Sequence, residues 1–444
     1  MSAQQEASRA PSGSASPHVD VLVIGGGPAG STIAALLAER GRRVLLVEKD
    51  RHPRFHIGES LLPLNLPLFE RLGVKEEIER IGMVKYGVEF VSPYHGRAVS
   101  REFSQAWDKS LPYSYQVRRS EFDHVLLRNA AAKGAEVIEG SRVTEVGFPA
   151  AGGAAVKARD ENGAEHCWNA DFLVDASGRD TFLAGQLGFK QRNRKHDSAA
   201  IFGHFTGARR LPGKAEGHIS IFWFDHGWFW FIPLADGSTS IGAVCPPAYF
   251  KSRKTDLASF FMSTIALCPA IADRLKDATL ASPVTATGNY SYSADRMAGR
   301  SYILVGDAYA FIDPVFSTGV YLAMTSGFLG AQAVEACLRA PEKSAQVLKR
   351  YERRARRGLR AFTWYIYRIR QPAFRDLFMS TRAPLRVDEA VLSLLAGDVF
   401  RRADIGWRLA LFKFFYYANS LMYLRTFLRE RRMRSRSAGL ELAG

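Results

Sequence analysis

An apolar run, Val19 to Ile24, broken only by Asp20, opens the patterned part of the chain. It stops at Gly25-Gly26-Gly27, gives way to a helical periodicity reaching about Arg40, and is followed by a second apolar run, Arg43 to Glu48. Short continuous apolar runs predict strands buried on both faces, and strand, turn, helix and strand in this order make one βαβ unit. Further strand-like runs end at Asp175 and at Val305, the second followed by a loop and a helix. Between Phe182 and Arg300 the runs shorten and read as antiparallel strands. From about Gln332 onward the pattern is helical, basic and aromatic. The reading is an α/β chain: a domain over 18–335, a second sheet inserted at about 182–300, and a mainly helical, basic part over 336–444. No internal repeat stands out.

Composition changes this picture little: 444 residues, 47% of them hydrophobic, are ordinary for a globular protein. Residues 1–17 are polar and small, without the apolar centre of a signal peptide, and read as a disordered tail. Cys167, Cys245, Cys268 and Cys337 are scattered with no C-x-x-C pair. That argues against a metal or disulfide framework and fits a reducing cytoplasm. The stretch Leu409 to Leu428 is the most membrane-like, but Lys413, Asn419 and Arg425 interrupt it, so a buried or surface-lying amphipathic helix is expected. The net charge of +16 concentrates in Lys349–Arg370 and near the C-terminus. Such clusters favour an acidic partner. An acidic carrier protein suits Arg353, Arg354, Arg356 and Arg357; no nucleic-acid motif is present, and contact with a membrane surface is not favoured.

Candidate chemistry begins at the glycine turn. Gly25, Gly27 and Gly30 form G-x-G-x-x-G between strand and helix, where backbone closely approaches a pyrophosphate and the helix N-terminus offers free N–H groups. Glu48 closes the second strand, placed to accept from a ribose hydroxyl. A Gly-Asp pair after a strand, Gly306-Asp307, sets a carboxylate near another sugar-like hydroxyl. In "GWFWFIPL", Gly227 to Leu234, alternation puts Trp228 and Trp230 on one face and Phe229 and Phe231 on the other. Both faces are apolar, so the strand is buried on both sides. Lys85 lies between Val84 and Tyr86 in an apolar β-like run, where burial of an ammonium lowers its pKa. Lys75 reads as an exposed helical lysine.

Four stretches in order, Val19–Asp50, Val117–Ala130 with its R-x-x-F-D, Phe172–Thr181 with D-A-S-G-R, and Ser301–Met324, resemble FAD-binding monooxygenases of the hydroxybenzoate-hydroxylase type. The resemblance implies a Rossmann-type FAD domain whose inserted antiparallel sheet roofs the substrate cavity. It implies FAD contacts from Gly25, Gly27, Pro28, Ala29, Gly30, Ser31, Glu48, Lys49, Gly58, Glu59, Ser60, Arg119, Gly306, Asp307 and Val320. Only one dinucleotide fingerprint is present, so FAD is reduced by a separate NAD(P)H flavin reductase or by NAD(P)H visiting the same site.

Within that superfamily, W-x-W-x-I-P at Trp228 to Pro233 and F-x-x-P-x-x-S-x-G at Phe311 to Gly319 resemble flavin-dependent halogenases. "FHIGESLLP", Phe55 to Pro63, and Phe316 in place of a glutamate before Ser317 resemble the branch acting on phenols or pyrroles, some of them tethered to carrier proteins, and argue against free tryptophan. The resemblance implies that reduced FAD, O2 and chloride or bromide yield hypohalous acid, with halide at Thr318 and Gly319. The oxidant passes Trp228 and Trp230 to Lys85, with Ser317 nearby, for electrophilic halogenation in secondary metabolism such as antibiotic biosynthesis. The indoles hold the organic substrate away from the flavin. An aromatic hydroxylase or prenyl reductase of the same fold, needing neither Lys85 nor halide, is the alternative. A non-catalytic or membrane-associated flavoprotein is a third reading.

Overall fold

The computed structural model describes residues 16–193, 198–288, 291–380, 384–399 and 405–441, with side chains described up to 424. Most of the expected 1–17 tail lies outside the described residues. The βαβ unit consists of β1 (His18–Ile24), α1 (Pro28–Ala38) and β2 (Val44–Val47). β1 sits at the centre of an eight-stranded sheet, parallel to β2 on one side and to Glu165–Asp175 on the other. Glu136–Ile138 extends the sheet beyond β2, and Tyr302–Leu304 extends it beyond Glu165–Asp175, both in parallel pairing. The central strands are continuous apolar runs because helices cover them, and α1, with all of its residues buried, packs between the helices Arg119–Ala132 and Thr318–Arg339.

The second eight-stranded sheet has Ala199–Thr206, Thr239–Cys245, Gly227–Pro233 and Ile219–Phe224 at its centre, in antiparallel pairs. It is not built from the inserted stretch alone. Gly87–Ser92 joins Ile219–Phe224 in parallel, and Arg97–Glu102 forms the edge. The chain therefore contributes to this sheet before most of the first sheet is complete.

The alternation along Gly227–Pro233 separates two cores. Trp228 and Trp230 pack with Phe362, Tyr365, Phe374 and Phe412 of the C-terminal helices. Phe229 and Phe231 pack with Phe260 and Phe261 of the helix Leu257–Ala266. Every residue of the strand is buried. The C-terminal helices Ser344–Ile366, Pro372–Met379, Val387–Leu395 and Gly406–Glu441 thus close one face of the second sheet.

Candidate active site

A cavity of about 280 Å³ lies between the glycine turn of the first sheet and the tryptophan face of the second. Gly25 holds φ +101°, and a Cβ there would come 2.5 Å from the Ala176 carbonyl oxygen. At Gly30 a Cβ would come 1.9 Å from the Gly25 carbonyl oxygen, so the turn and the first turn of α1 fit only as glycines. The Gly26 amide donates to one oxygen of buried Glu48 at 2.5 Å, and the Asp50 amide donates to the other at 3.0 Å. Asp175 accepts from the Ser177 and Leu183 amides and so shapes the Asp-Ala-Ser-Gly-Arg turn that presses on Gly25.

Arg119 opens its helix and is buried, not a surface residue. Its guanidinium forks onto Asp123 at 2.8 and 2.9 Å and donates to the Ile57 carbonyl at 2.8 Å. Gly58, at φ +104°, turns the chain over this guanidinium, 3.1 Å from where a Cβ would sit. Burial and the same arginine push His56 down to about 4, so its ring is neutral at neutral pH. Asp307 follows Gly306, itself at φ +59°; burial pushes Asp307 up to about 6, opposed by the charges of Arg119 and Arg179.

Lys85 is buried in the strand Met83–Lys85. This strand pairs with Ser114–Gln116, whose other edge bridges to Ser60 at Gln116. The lysine Nζ donates to Ser60 Oγ at 2.8 Å and to the Leu61 carbonyl at 3.0 Å, and lies 5.4 Å from the Phe103 ring centroid. Burial alone pushes it down to about 7. Glu89, on the second sheet, is held by Arg274 and Ser220. His218, whose ring nitrogens bond nothing among the described residues, is pushed below its ordinary range chiefly by burial, with Lys85 acting in the same direction.

Gly25, Gly27, Pro28, Ala29, Glu48, Lys49, Gly58, Glu59, Ser60, Arg119, Asp307 and Val320 line the cavity. Trp228, Trp230, Ser317 and Gly319 line it as well. Gly30, Ser31 and Gly306 pack behind its wall: Ser31 donates to the Gly26 carbonyl, and a Cβ on Gly306 would press on Ala29 and Ala323. Thr318 faces a neighbouring cavity of about 50 Å³, which Gly319 and Asp307 also line. Lys85 stands behind Ser60, and its hydrogen bonds do not include Ser317. Ser317 is the N-cap of Thr318–Arg339 at φ +56°, unusual for a non-glycine residue, and the first N–H groups of that helix have no side-chain cap. Lys75, on an earlier helix, pairs with Glu70 at the surface.

Two contributors carry no local sequence signal, and a third sits in a stretch the sequence singled out without naming its role. His204 meets Glu59 at 2.9 Å with both groups buried, tying the loop after Gly58 to the second sheet. Arg54 bonds Asp123 at 3.1 Å and lines the cavity. Arg179 donates to Thr287 at 2.6 Å from inside the Asp-Ala-Ser-Gly-Arg stretch. Among the described residues no group of three or more His, Cys, Asp or Glu could hold a metal ion.

The cradle at Gly25 and Gly30, the carboxylates of Glu48 and Asp307, and the buried Arg119 fit an FAD. The family model for the FAD binding domain matches residues 18–363. The chain belongs to that family. Its similarity within the family is to flavin-dependent halogenases. It is 36% identical to the tryptophan 2-halogenase of Chondromyces crocatus over 75% of this chain and 64% of that protein, so it spans less than two thirds of that relative. It is 29% identical to the 1H-pyrrole-2-carbonyl-[peptidyl-carrier protein] chlorinase of Pseudomonas fluorescens, over 86% of this chain and 89% of the relative. Among solved structures, the myxobacterial chondrochloren halogenase CndH aligns with TM-score 0.76 and 34% identity over 87% of this chain and 91% of that one.

Proposed function

We propose that this protein is a flavin-dependent halogenase that uses reduced FAD, O2 and chloride or bromide to halogenate an electron-rich ring. The observation carrying the reading is Lys85: a buried amine held near neutrality behind Ser60, next to a cavity walled by Trp228 and Trp230. Reduced FAD, when bound, supplies with O2 the two-electron oxidation of halide to hypohalous acid. The chain's own residues do the rest. The free N–H groups at Thr318 and Gly319 hold halide at the start of their helix. The indoles exclude a ring while leaving room for a small oxidant. Neutral Lys85 either hydrogen-bonds hypohalous acid or takes up the halogen, its N–H becoming N–X with loss of water. The ring then takes the halogen and loses its proton, which ends on the lysine nitrogen in the haloamine route, restoring the N–H, or on the hydroxide left by hypohalous acid, giving water. Ser60 fixes the amine's direction, and Ser317 faces the same cavity.

Phe316 supports a phenol or pyrrole over free tryptophan. It is buried and stacks on Phe378, with ring centroids 6.3 Å apart, so this position contributes packing in place of an acid. One relative is named for a carrier-tethered pyrrole, and Arg353, Arg354 and Arg357 on the helix Ser344–Ile366 are exposed and suit an acidic carrier. Arg356 is engaged inward on the Asp295 carbonyl. A separate NAD(P)H flavin reductase fits the single dinucleotide turn.

The test needs no natural substrate. FAD-loaded protein is reduced without oxygen, then mixed with O2, bromide or chloride, and a simple phenol. Halogenated phenol that depends on halide and disappears in Lys85→Ala supports the reading. Hydrogen peroxide released equally by both proteins, with no halogenated product, sinks it in favour of a hydroxylase or prenyl reductase.

A further inference from the structure

Over its described side chains, up to Leu424, the helix Gly406–Glu441 is apolar on two opposite sides. Leu409, Phe412 and Tyr416 are buried; Phe412 packs on Tyr365 and Phe374 at centroid distances of 5.6 and 5.8 Å. Two residues on from Phe412, and so roughly 200° around the axis, Phe414 belongs to a second seam. Trp407, Phe414, Tyr417, Leu421 and Leu424 follow one another at spacings of seven, three, four and three, and each is about half exposed or more. A helix with apolar residues on both sides ordinarily has both sides covered. Here one is covered by the protein and the other faces out.

Cations gather along the open seam. Arg368 lies over the Trp364 ring at 4.4 Å and reaches the Tyr417 hydroxyl, and Lys413 lies over the same ring at 5.2 Å. Arg408 is sandwiched between Trp407 and Trp107, at 4.2 and 3.9 Å, and donates to the Leu385 carbonyl, so it flanks the seam from the protein side. Beyond Leu424 the sequence carries six arginines against two glutamates. A second copy of this chain would bring like charge against like, on a protein already at +16. An acidic protein would meet the charge but leaves a straight apolar seam of about 26 Å to be matched by a single rigid groove. A fluid, negatively charged interface meets both features. Trp and Tyr favour the headgroup level, apolar side chains enter below it, and arginines pair with anionic lipid.

We propose that the open seam of this helix lies on an anionic lipid surface, holding the protein at a membrane as a peripheral protein. Among the described residues no helix is long and apolar enough to cross one, which fits a helix lying flat. The proposal is independent of the chemistry assigned to Lys85.

The test is flotation of the FAD-loaded full chain with phosphatidylcholine vesicles, with and without phosphatidylglycerol. Wild type should float at least about tenfold more with the anionic vesicles. The double variant Phe414→Gln/Leu421→Gln, altered only at exposed positions, should lose that binding while keeping its FAD. Bromine-labelled acyl chains should quench part of the tryptophan emission, and that part should vanish in Trp407→Phe. No flotation at any composition overturns the proposal, as does flotation untouched by the double variant. A wild-type dimer that the double variant converts to monomer overturns it in favour of a second copy, and an acidic carrier protein bound through the same two residues overturns it in favour of a protein partner.

Discussion

The indole of Trp230 lies against the backbone of Gly242 on the neighbouring strand: a Cβ there would come 2.1 Å from the ring. The indole N–H reaches Ser240 at 3.2 Å, so the ring is located by one absent methyl and one hydrogen bond. Gly242→Ala should therefore push the indole toward the cavity or out of its rotamer. Overpacking of this kind costs ~1–3 kcal/mol. Thermal denaturation should show a lower midpoint, and halogenation of the test phenol should fall while FAD binding holds. An unchanged midpoint would mean that the ring has more room than the structure gives it.

Lys85 sets a pH dependence. Its folded value of about 7 lies below the ordinary 10.5, so the unfolded chain binds the extra proton between those values. Stability therefore rises with pH across that window, by about 1.4 kcal/mol per unit from this group. Below about pH 7 the buried amine is charged in both states and its full desolvation cost remains. Urea unfolding of wild type and Lys85→Met from pH 6 to 9 should show the wild type gaining on the variant as pH rises. Parallel curves would show that the amine keeps its proton. Halogen transfer, if it uses the neutral amine, should rise through the same apparent value.

Ser317 holds a left-handed backbone at φ +56°. A non-glycine residue there costs ~1 kcal/mol. Ser317→Gly should melt no lower than wild type, and Ser317→Val should melt lower and bind FAD less well. Comparing Ser317→Gly with Ser317→Ala in the phenol assay separates the hydroxyl from the backbone. Activity kept by the glycine variant alone would assign the role to the turn and not to the side chain.

Reversing Arg353 and Arg354 to glutamate should slow turnover of a carrier-tethered ring several-fold at low salt and leave a free phenol untouched. Added salt should shrink the difference. Equal rates for the reversed variant and wild type on a tethered substrate would remove the carrier from this helix.

The βαβ unit was legible because its signal is local: glycine spacing, an apolar run on each side, and an acid at the end of β2. The two faces of Gly227–Pro233 followed from alternation alone, and burial of Lys85 from its apolar neighbours. The lysine's partner was not legible. Ser60 comes to it only because Ser60 and the strand Met83–Lys85 flank the same short strand, Ser114–Gln116. Likewise Glu59 finds His204 across 145 positions, and Gly242 matters only once Trp230 lies beside it. The recruitment of Gly87–Ser92 and Arg97–Glu102 into the second sheet is a non-local pairing that no window of sequence encodes. The outward seam of the last helix was hidden for a different reason: the apolar stretch is interrupted by Lys413, Asn419 and Arg425, and only packing tells which of its sides is covered.

One further relationship bears on how this chain can change. Lys85 ends a strand pairing beside the first half of the molecule, and Gly87 begins a strand of the second sheet. A Cβ on Gly87 would meet the Arg101 carbonyl at 2.2 Å. A single residue, Tyr86, thus joins two separately built halves. Inserting one more there would rotate the amine to the opposite face of its strand or slip the second sheet by one register. Connections between strands ordinarily tolerate insertions; here the one-residue link is itself the ruler that aligns the two halves.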